Sequence, residues 1–160
     1  MSQSTAAARS TSPSTGAPAG IDPRGPQFNA SVTAVVLAVI LVAAPHPAAV
    51  ALLGLQAVLF AWGAIAGVAR TPLAWVFRAA VRPRLAPPTE LEDPAPPRFA
   101  QAVGLGFALV GLVGFLAGVD TLGLIAVGMA LVAALLNAVF RFCLGCEMYL
   151  LGKRLTTRAA

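Results

Sequence analysis

Four long runs without a single charged residue dominate the sequence: Phe28 to Ala44, Pro47 to Ala69, Ala100 to Val119 and Leu122 to Phe140. As helices, runs of this length cross or nearly cross a hydrocarbon core of about 30 Å, the first being the shortest at roughly 25 Å. Only 11% of the residues are charged and 58% are hydrophobic, whereas soluble domains carry about 25% charged residues. The chain therefore reads as an all-α membrane protein with four transmembrane helices in one small bundle. Pro45-His46-Pro47 separates the first two spans, because proline cannot continue the helical hydrogen-bond ladder. Asp120-Thr121 separates the last two, and either residue is a candidate cap for the helix that follows.

The charges fix an orientation. All eleven Lys and Arg lie in the N-terminal arm, in the connection ahead of Ala100, or from Arg141 onward. An even number of spans puts those three regions on one side. The two short turns opposite carry only His46 and Asp120. The positive-inside rule then predicts a multi-pass protein of the inner (plasma) membrane with both termini cytoplasmic. The net charge of +5 flanks apolar runs with little aromatic interleaving, so it reads as topology and not as nucleic-acid binding. No span carries a carboxylate or Lys in its interior, which argues against an ion-coupled pump.

Residues 1–20 are mostly Ser, Thr, Ala, Pro and Gly with one charge at Arg9, a composition expected to be disordered. Residues 21–160 form the membrane domain. The length of the first span and the small residues near Ala43 are compatible with a cleaved signal peptide. An internal repeat argues against it. Pro26-Gln27-Phe28 and Pro97-Arg98-Phe99 are 71 residues apart, as are Arg70 and Arg141. A fixed period marks duplicated units. The expected units cover about 26–85 and 97–156, each with two spans followed by a short amphipathic interfacial helix. Two spans per unit relate the copies by an axis along the membrane normal. The first span thus has a counterpart in the third, which is no signal peptide.

Small residues supply the packing surface. Gly104, Ala108, Gly111 and Gly118 stripe the third span, Gly63 and Gly67 form a G-x-x-x-G in the second, Gly114 and Gly118 another in the third, and Ala126, Ala130, Ala133 and Asn137 stripe the fourth. Such stripes let backbones approach where lipid gives no hydrophobic drive. They serve contacts within one chain or in a homo-oligomer. Gln56 and Asn137 read as bonds between helices, and His46 as a solvated turn residue.

The residues equipped for covalent chemistry are Cys143 and Cys146, the only cysteines, in Arg141-Phe142-Cys143-Leu144-Gly145-Cys146-Glu147. In the first unit Thr71-Pro72 has the form of a cap followed by proline at the first helical position. From there Leu73, Val76, Phe77 and Ala80 follow helical spacing, Arg78 and Arg82 lie off that face, and Trp75 suits an interface. The period places Cys143 opposite Pro72, hence in the first turn of a second surface helix with Leu144, Met148 and Leu151 on its apolar face. Free amides and the helix dipole favour a thiolate there, and Arg141 adds positive charge. Cys146, one turn on, is placed as a resolving thiol. Glu147 either weakens the thiolate or moves a proton. A C-x-x-C also serves as two small apolar residues closing a helix end, or as half of a metal site. Zinc usually wants four ligands, so metal would require a second copy or a partner.

The lead-in Ile21-Asp22-Pro23-Arg24-Gly25-Pro26-Gln27-Phe28, the link Glu92-Asp93-Pro94-Ala95-Pro96-Pro97-Arg98-Phe99-Ala100-Gln101, and Phe140-Arg141-Phe142-Cys143-Leu144-Gly145-Cys146-Glu147 together resemble a bacterial membrane family, domain of unknown function forty-three ninety-five, common in actinobacteria. The resemblance covers nearly everything after residue 20, and Cys-Leu-Gly-Cys-Glu is its most specific part. Members encoded beside thioredoxin-like proteins and sulfurtransferases imply a thiol or sulfur partner. The expected function is thus a membrane thiol protein, redox-active or sulfur-transferring, with Cys143 attacking or carrying persulfide, Cys146 resolving, and a cytosolic thioredoxin-like or sulfurtransferase partner. A quinone or other lipid-soluble acceptor is compatible, although no motif demands one. The rival is a non-enzymatic scaffold or small-solute channel with structural or metal-binding cysteines.

Overall fold

The computed structural model describes residues 20–158, so the arm expected to be disordered lies, but for Gly20, outside the described residues. Four helices are long and apolar enough to cross a membrane: α1 (Arg24–Ala43), α2 (Pro47–Ala66), α4 (Ala95–Leu116) and α5 (Asp120–Phe140). Two shorter helices follow the pairs, α3 (Pro72–Val76) after α2 and α6 (Leu144–Arg158) after α5. No strand forms among the described residues; one isolated antiparallel bridge joins Ile21 to Glu92.

The spans close into a ring in which α1 packs on α2 and α5, and α4 packs on those same two helices. Leu37 and Ile40 of α1, Leu53 of α2 and Val127 of α5 are fully enclosed at the centre, with Phe60 and Phe115 beside them. The outer faces stay apolar: Val42, Ile65, Leu116 and Val139 are exposed. A surface of this kind suits lipid, since soluble proteins keep contiguous apolar patches small.

Helix boundaries differ from expectation by up to five residues. Both α1 and α4 start earlier than expected, at Arg24 and Ala95, because prolines are tolerated in a first turn, where amides have no helical partner. This gives α1 20 residues, about 30 Å. Glycine stops α2 at Ala66: Gly67 adopts φ +93°, a conformation costly for other residues, and a 3₁₀ turn carries Val68–Arg70. Ala138 stands 71 residues after Gly67, without that freedom, and α5 runs on to Phe140. So Arg70 closes a separate turn, whereas Arg141 caps α5 directly. The cap expected from Asp120 or Thr121 is absent. Val119 precedes α5 without a side-chain cap bond, and Asp120 lies in the first turn, where its charge suits the helix dipole. His46 does cap α2, its Nδ1 accepting from the Ala48 amide at 3.2 Å.

The small residues divide into two groups. A Cβ on Gly114 would fall 2.6 Å from the Gly123 backbone nitrogen, so α4 and α5 touch there backbone to backbone. Gly104 receives the Phe60 ring, Gly111 receives Leu53 and Val127, and Gly63 receives Gln101. These are contacts within one chain. Gly67 and Gly118 are not packing residues: both lie past a helix end at positive φ with nothing within 4 Å of an added Cβ.

Two polar contacts that sequence reasoning missed tie the ring together. Arg98 of α4 donates through Nε to the Ala64 carbonyl at 2.6 Å and through Nη2 to that of Ile65 at 2.7 Å, satisfying the end of α2. Gln27 of α1 donates to the Ala138 carbonyl near the end of α5 at 3.0 Å. Each relieves carbonyls that a helix terminus leaves unpaired.

Candidate functional site

The chain leaves α5 through Arg141, which takes a left-handed conformation, φ 57° and ψ 23°. Residues other than glycine pay about 1–2 kcal/mol for it. The sharp reversal returns the amides of Arg141 and Phe142 to the carbonyls of Asn137 and Leu136, and delivers Cys143 to the start of α6. Cys143 stands one residue before the helix, not within its first turn as the period implied. Its carbonyl accepts the Glu147 amide at 3.0 Å, and its Sγ accepts the Cys146 amide at 3.3 Å. The sulfur therefore occupies the place of a capping oxygen, aligned with the positive end of the helix. The corresponding residue ahead of α3 is Thr71, whose Oγ1 accepts from the Ala74 amide at 3.2 Å and is followed by Pro72 at the first helical position. The helix start moves one residue against the period, since Thr71 and Cys143 are 72 apart.

Cys143 and Cys146 are joined as a disulfide, with Cα atoms 5.2 Å apart, and both are half-buried. Gly145 between them fixes the helix in place. A Cβ there would come within 2.7 Å of the Cα and Cβ of Ala100 in α4, so only glycine permits this approach. Tyr149 packs one turn on against Phe99, ring centroids 5.8 Å apart. The face of α6 that meets the bundle thus carries Gly145 and Tyr149. Leu144, Met148 and Leu151, expected as the apolar face, are largely exposed and form a separate stripe with Leu155. That stripe suits the lipid boundary. Around α3, Phe77 packs under α1 against Phe28, whereas Trp75 is exposed. Beyond Val76 the chain widens into a π turn over Phe77–Val81.

The other two candidates are placed differently. Arg141 is exposed on the rim of the site, and its side chain makes no hydrogen bond or ion pair among the described residues. Glu147 joins through its backbone amide alone, its side chain exposed. No group of three or more His, Cys, Asp or Glu arranged to hold a metal exists among the described residues.

Beneath the disulfide lies a cavity of about 380 Å³, a feature no motif announced. It is partly open and is bordered by α1, α4, α5 and α6, with Phe60 of α2 also lining it. Arg141, Cys143 and Cys146 line its rim, and Ala30, Phe107, Ala130 and Ala134 form apolar walls. The polar atoms on its wall come from Gln27, Asn29, Gln101 and Asn137, and from Thr33, which is 3% exposed and whose Oγ1 has no hydrogen-bond partner. Arg24 and Glu92 also line it. Arg24 forms a bidentate pair with Asp22, both contacts 2.9 Å, and the guanidinium's hydrogen bonds hold the Asp22 carboxyl below its ordinary value of 3.8.

A family model described as a domain of unknown function (DUF4395) matches residues 21–154. The chain belongs to that family. The match takes in both pairs of spans, the Cys143–Cys146 disulfide and the start of α6 of this DUF4395 member. No curated protein and no solved structure matches it.

Proposed function

We propose that this DUF4395 protein is a membrane thiol protein whose Cys143–Cys146 pair exchanges disulfides with a cytosolic thioredoxin-like partner. One observation carries the reading: the Cys143 sulfur caps α6 while bonded to Cys146. Reduced, Cys143 would hold a thiolate at the positive end of that helix, the setting that lowers thiol pKa in C-x-x-C sites.

Exchange then conserves electrons through two substitutions. A partner thiolate attacks Cys143 Sγ, forming a mixed disulfide and expelling Cys146 as thiolate. The partner's second thiolate attacks its own sulfur in the mixed disulfide and releases Cys143 as thiolate. The partner is oxidised, and the membrane pair is reduced by two electrons. The reverse runs through the same intermediate, with Cys146 as the resolving group. A sulfurtransferase partner would use the reduced form, with Cys143 carrying the persulfide. Arg141 favours the thiolate by its charge at the rim, and Glu147 is the nearby candidate for proton transfer.

The proposed orientation puts the basic end of the bundle, and this pair, in the cytoplasm. The placement of all eleven Lys and Arg outside the interior of the spans supports it. A disulfide in that compartment is usually transient and catalytic, which favours exchange over a structural staple.

Thiol trapping in native membranes, followed by mass spectrometry, tests the reading. A Cys146→Ser variant should accumulate a mixed disulfide on Cys143. A pair that stays closed under cytosolic reduction and traps no partner would leave the scaffold reading.

A further inference from the structure

The cavity under the disulfide asks for an occupant of its own. We propose that it is the binding site for a lipid-borne quinone, the two-electron acceptor that reoxidises Cys143 and Cys146. The proposal rests on the thiol-exchange reading and adds where the electrons go.

Four observations select this class of ligand. The cavity is lined by both Cys143 and Cys146, so a ring inside it has both cysteines as neighbours. Its volume of about 380 Å³ falls within the usual range of about 300–1,000 Å³ for small-molecule sites. Its polar lining offers the hydroxyl of Thr33 and the carboxamides of Gln27, Asn29, Gln101 and Asn137, beside the charged Arg24, Glu92 and Arg141. Carbonyl oxygens of a neutral ring accept hydrogen bonds from the hydroxyl and the carboxamides. The Thr33 hydroxyl is buried and unpartnered in the cavity wall; a small shift of that wall would bring it to a ligand acceptor, and meeting an unmet buried donor is worth about 1–3 kcal/mol.

The fourth observation concerns the tail. A second, almost wholly apolar groove of about 390 Å³ lies between α4 and α5, running past Gly106, Val110 and Ile125. It shares Val103, Phe107 and Met129 with the cavity, so these three residues form the boundary between the two spaces. Ile125 and Val110 are exposed on the apolar outer face of the bundle. A ring in the cavity with an isoprenoid chain along this groove uses both spaces; a water-soluble oxidant leaves the groove unused.

The step balances. Two S–H bonds break and one S–S bond forms between Cys143 and Cys146. Two electrons and two protons pass to the quinone, whose carbonyl oxygens become the hydroxyls of a quinol. The thiols are oxidised and the quinone reduced. Combined with exchange, the net reaction oxidises a dithiol partner and delivers quinol to the bilayer.

The test uses the full chain in lipid nanodiscs, anaerobically, with decylubiquinone as probe. After reduction and removal of reductant, the proposal expects one quinol formed per disulfide closed, read by quinone absorbance and by thiol-trapping mass. Thr33→Val and Gln101→Leu should each slow this closure about tenfold, as expected for a lost hydrogen bond to the ring. Closure by diamide, which needs no cavity, reports whether each variant is folded with its pair intact. Met129→Trp, on the boundary between cavity and groove, should weaken decylubiquinone more than a tail-less quinone. If the wild-type pair exchanges with reduced thioredoxin but decylubiquinone does not close it, the quinone site is overturned and thiol exchange stands. If the pair neither exchanges with thioredoxin nor closes with diamide, both readings fall. Unchanged quinone rates in folded Thr33→Val and Gln101→Leu would also overturn the site.

Discussion

Ile21 and Glu92 pair with each other through both backbone hydrogen bonds, each amide donating to the other's carbonyl at 2.9 Å, and they are 71 residues apart. An antiparallel bridge between two positions one period apart, just ahead of the two expected units, is compatible with a twofold relation between them. Gln27 and Arg98, also 71 apart, both donate to carbonyls at the end of the helix they cross. We read these as support for two tandem units covering about 26–85 and 97–156. The expected outcome is that residues 24–66 superpose on 95–137 by a rotation near the membrane normal, checked by cryo-electron microscopy in nanodiscs.

The bridge also makes a reciprocal energetic prediction. Ile21→Pro removes one of its two donors and Glu92→Pro the other. Each should cost about 0.5–1.5 kcal/mol, and the double variant should cost less than the sum, because neither bond survives well alone. Thermal unfolding in detergent measures all three. Fully additive costs would mean that the two bonds do not act as one unit.

Topology gives the next prediction. Reporter fusions after Ala44 or Val119 should report the outer side, and fusions after Arg84 or Leu155 the cytoplasm. The charge asymmetry that motivates this is complete. An outer-side signal at Arg84 would reverse the placement of the disulfide and remove the argument for a cytosolic partner.

Gly145 sets the position of the disulfide, so Gly145→Val should act on both stability and chemistry. The added atoms meet backbone and side chain of Ala100, neither of which yields easily. Overpacking of this kind costs about 1–3 kcal/mol. Displacement of α6 should also make the cysteines more accessible, read as faster alkylation after reduction. Gly152→Ala, with open space around it, should do neither.

Asp22 confers a pH dependence whose sign follows from Arg24. Its hydrogen bonds with Arg24 hold the Asp22 carboxyl below 3.8 in the folded protein. A depressed carboxylate contributes stability above its unfolded value, and loses it as pH falls through the folded one. Thermal stability should therefore decline below about pH 4, with full support retained at neutrality. Asp22→Asn should lower stability at pH 7 and flatten the acid limb. An unchanged acid limb would show that the pair in the lead-in does not contribute.

The four spans were legible because lipid leaves few alternatives: long uncharged runs separated by Pro45-His46-Pro47 and Asp120-Thr121 become helices. The cap at Thr71 was legible for a local reason, a hydroxyl followed by proline. The conformation of Arg141 was not, because left-handed geometry is ordinarily signalled by glycine, and here the residue carries a full side chain. Gly145 sat in plain view within the motif, yet its role depends on Ala100 in another helix. The cavity was illegible for the same reason: Thr33, Gln101, Asn137 and Cys143 come from four separate elements or their ends, and no spacing along the chain brings them together.

The final prediction concerns reduced Cys143. With its sulfur at the α6 start and the Cys146 amide 3.3 Å away, the thiolate gains a donor and the positive end of a helix, and it should titrate below the free thiol value of about 8.5. Cys146 is the third residue of α6, and its sulfur does not hold the capping position that the Cys143 sulfur does, so it should react as the less acidic thiol. Alkylation rate against pH, on reduced Cys143→Ser and Cys146→Ser variants in lipid, reads the two separately. Arg141→Gln should move the Cys143 profile upward if the rim charge reaches the sulfur, and Glu147→Gln should move it downward by removing a competing negative charge. Arg141 also holds the left-handed turn by its backbone, so Arg141→Gly, which keeps the turn and removes the charge, is the matched control: equal shifts in both variants assign the effect to charge. Two thiols with the same profile, both near the free value, would remove the physical basis for Cys143 as the attacking group.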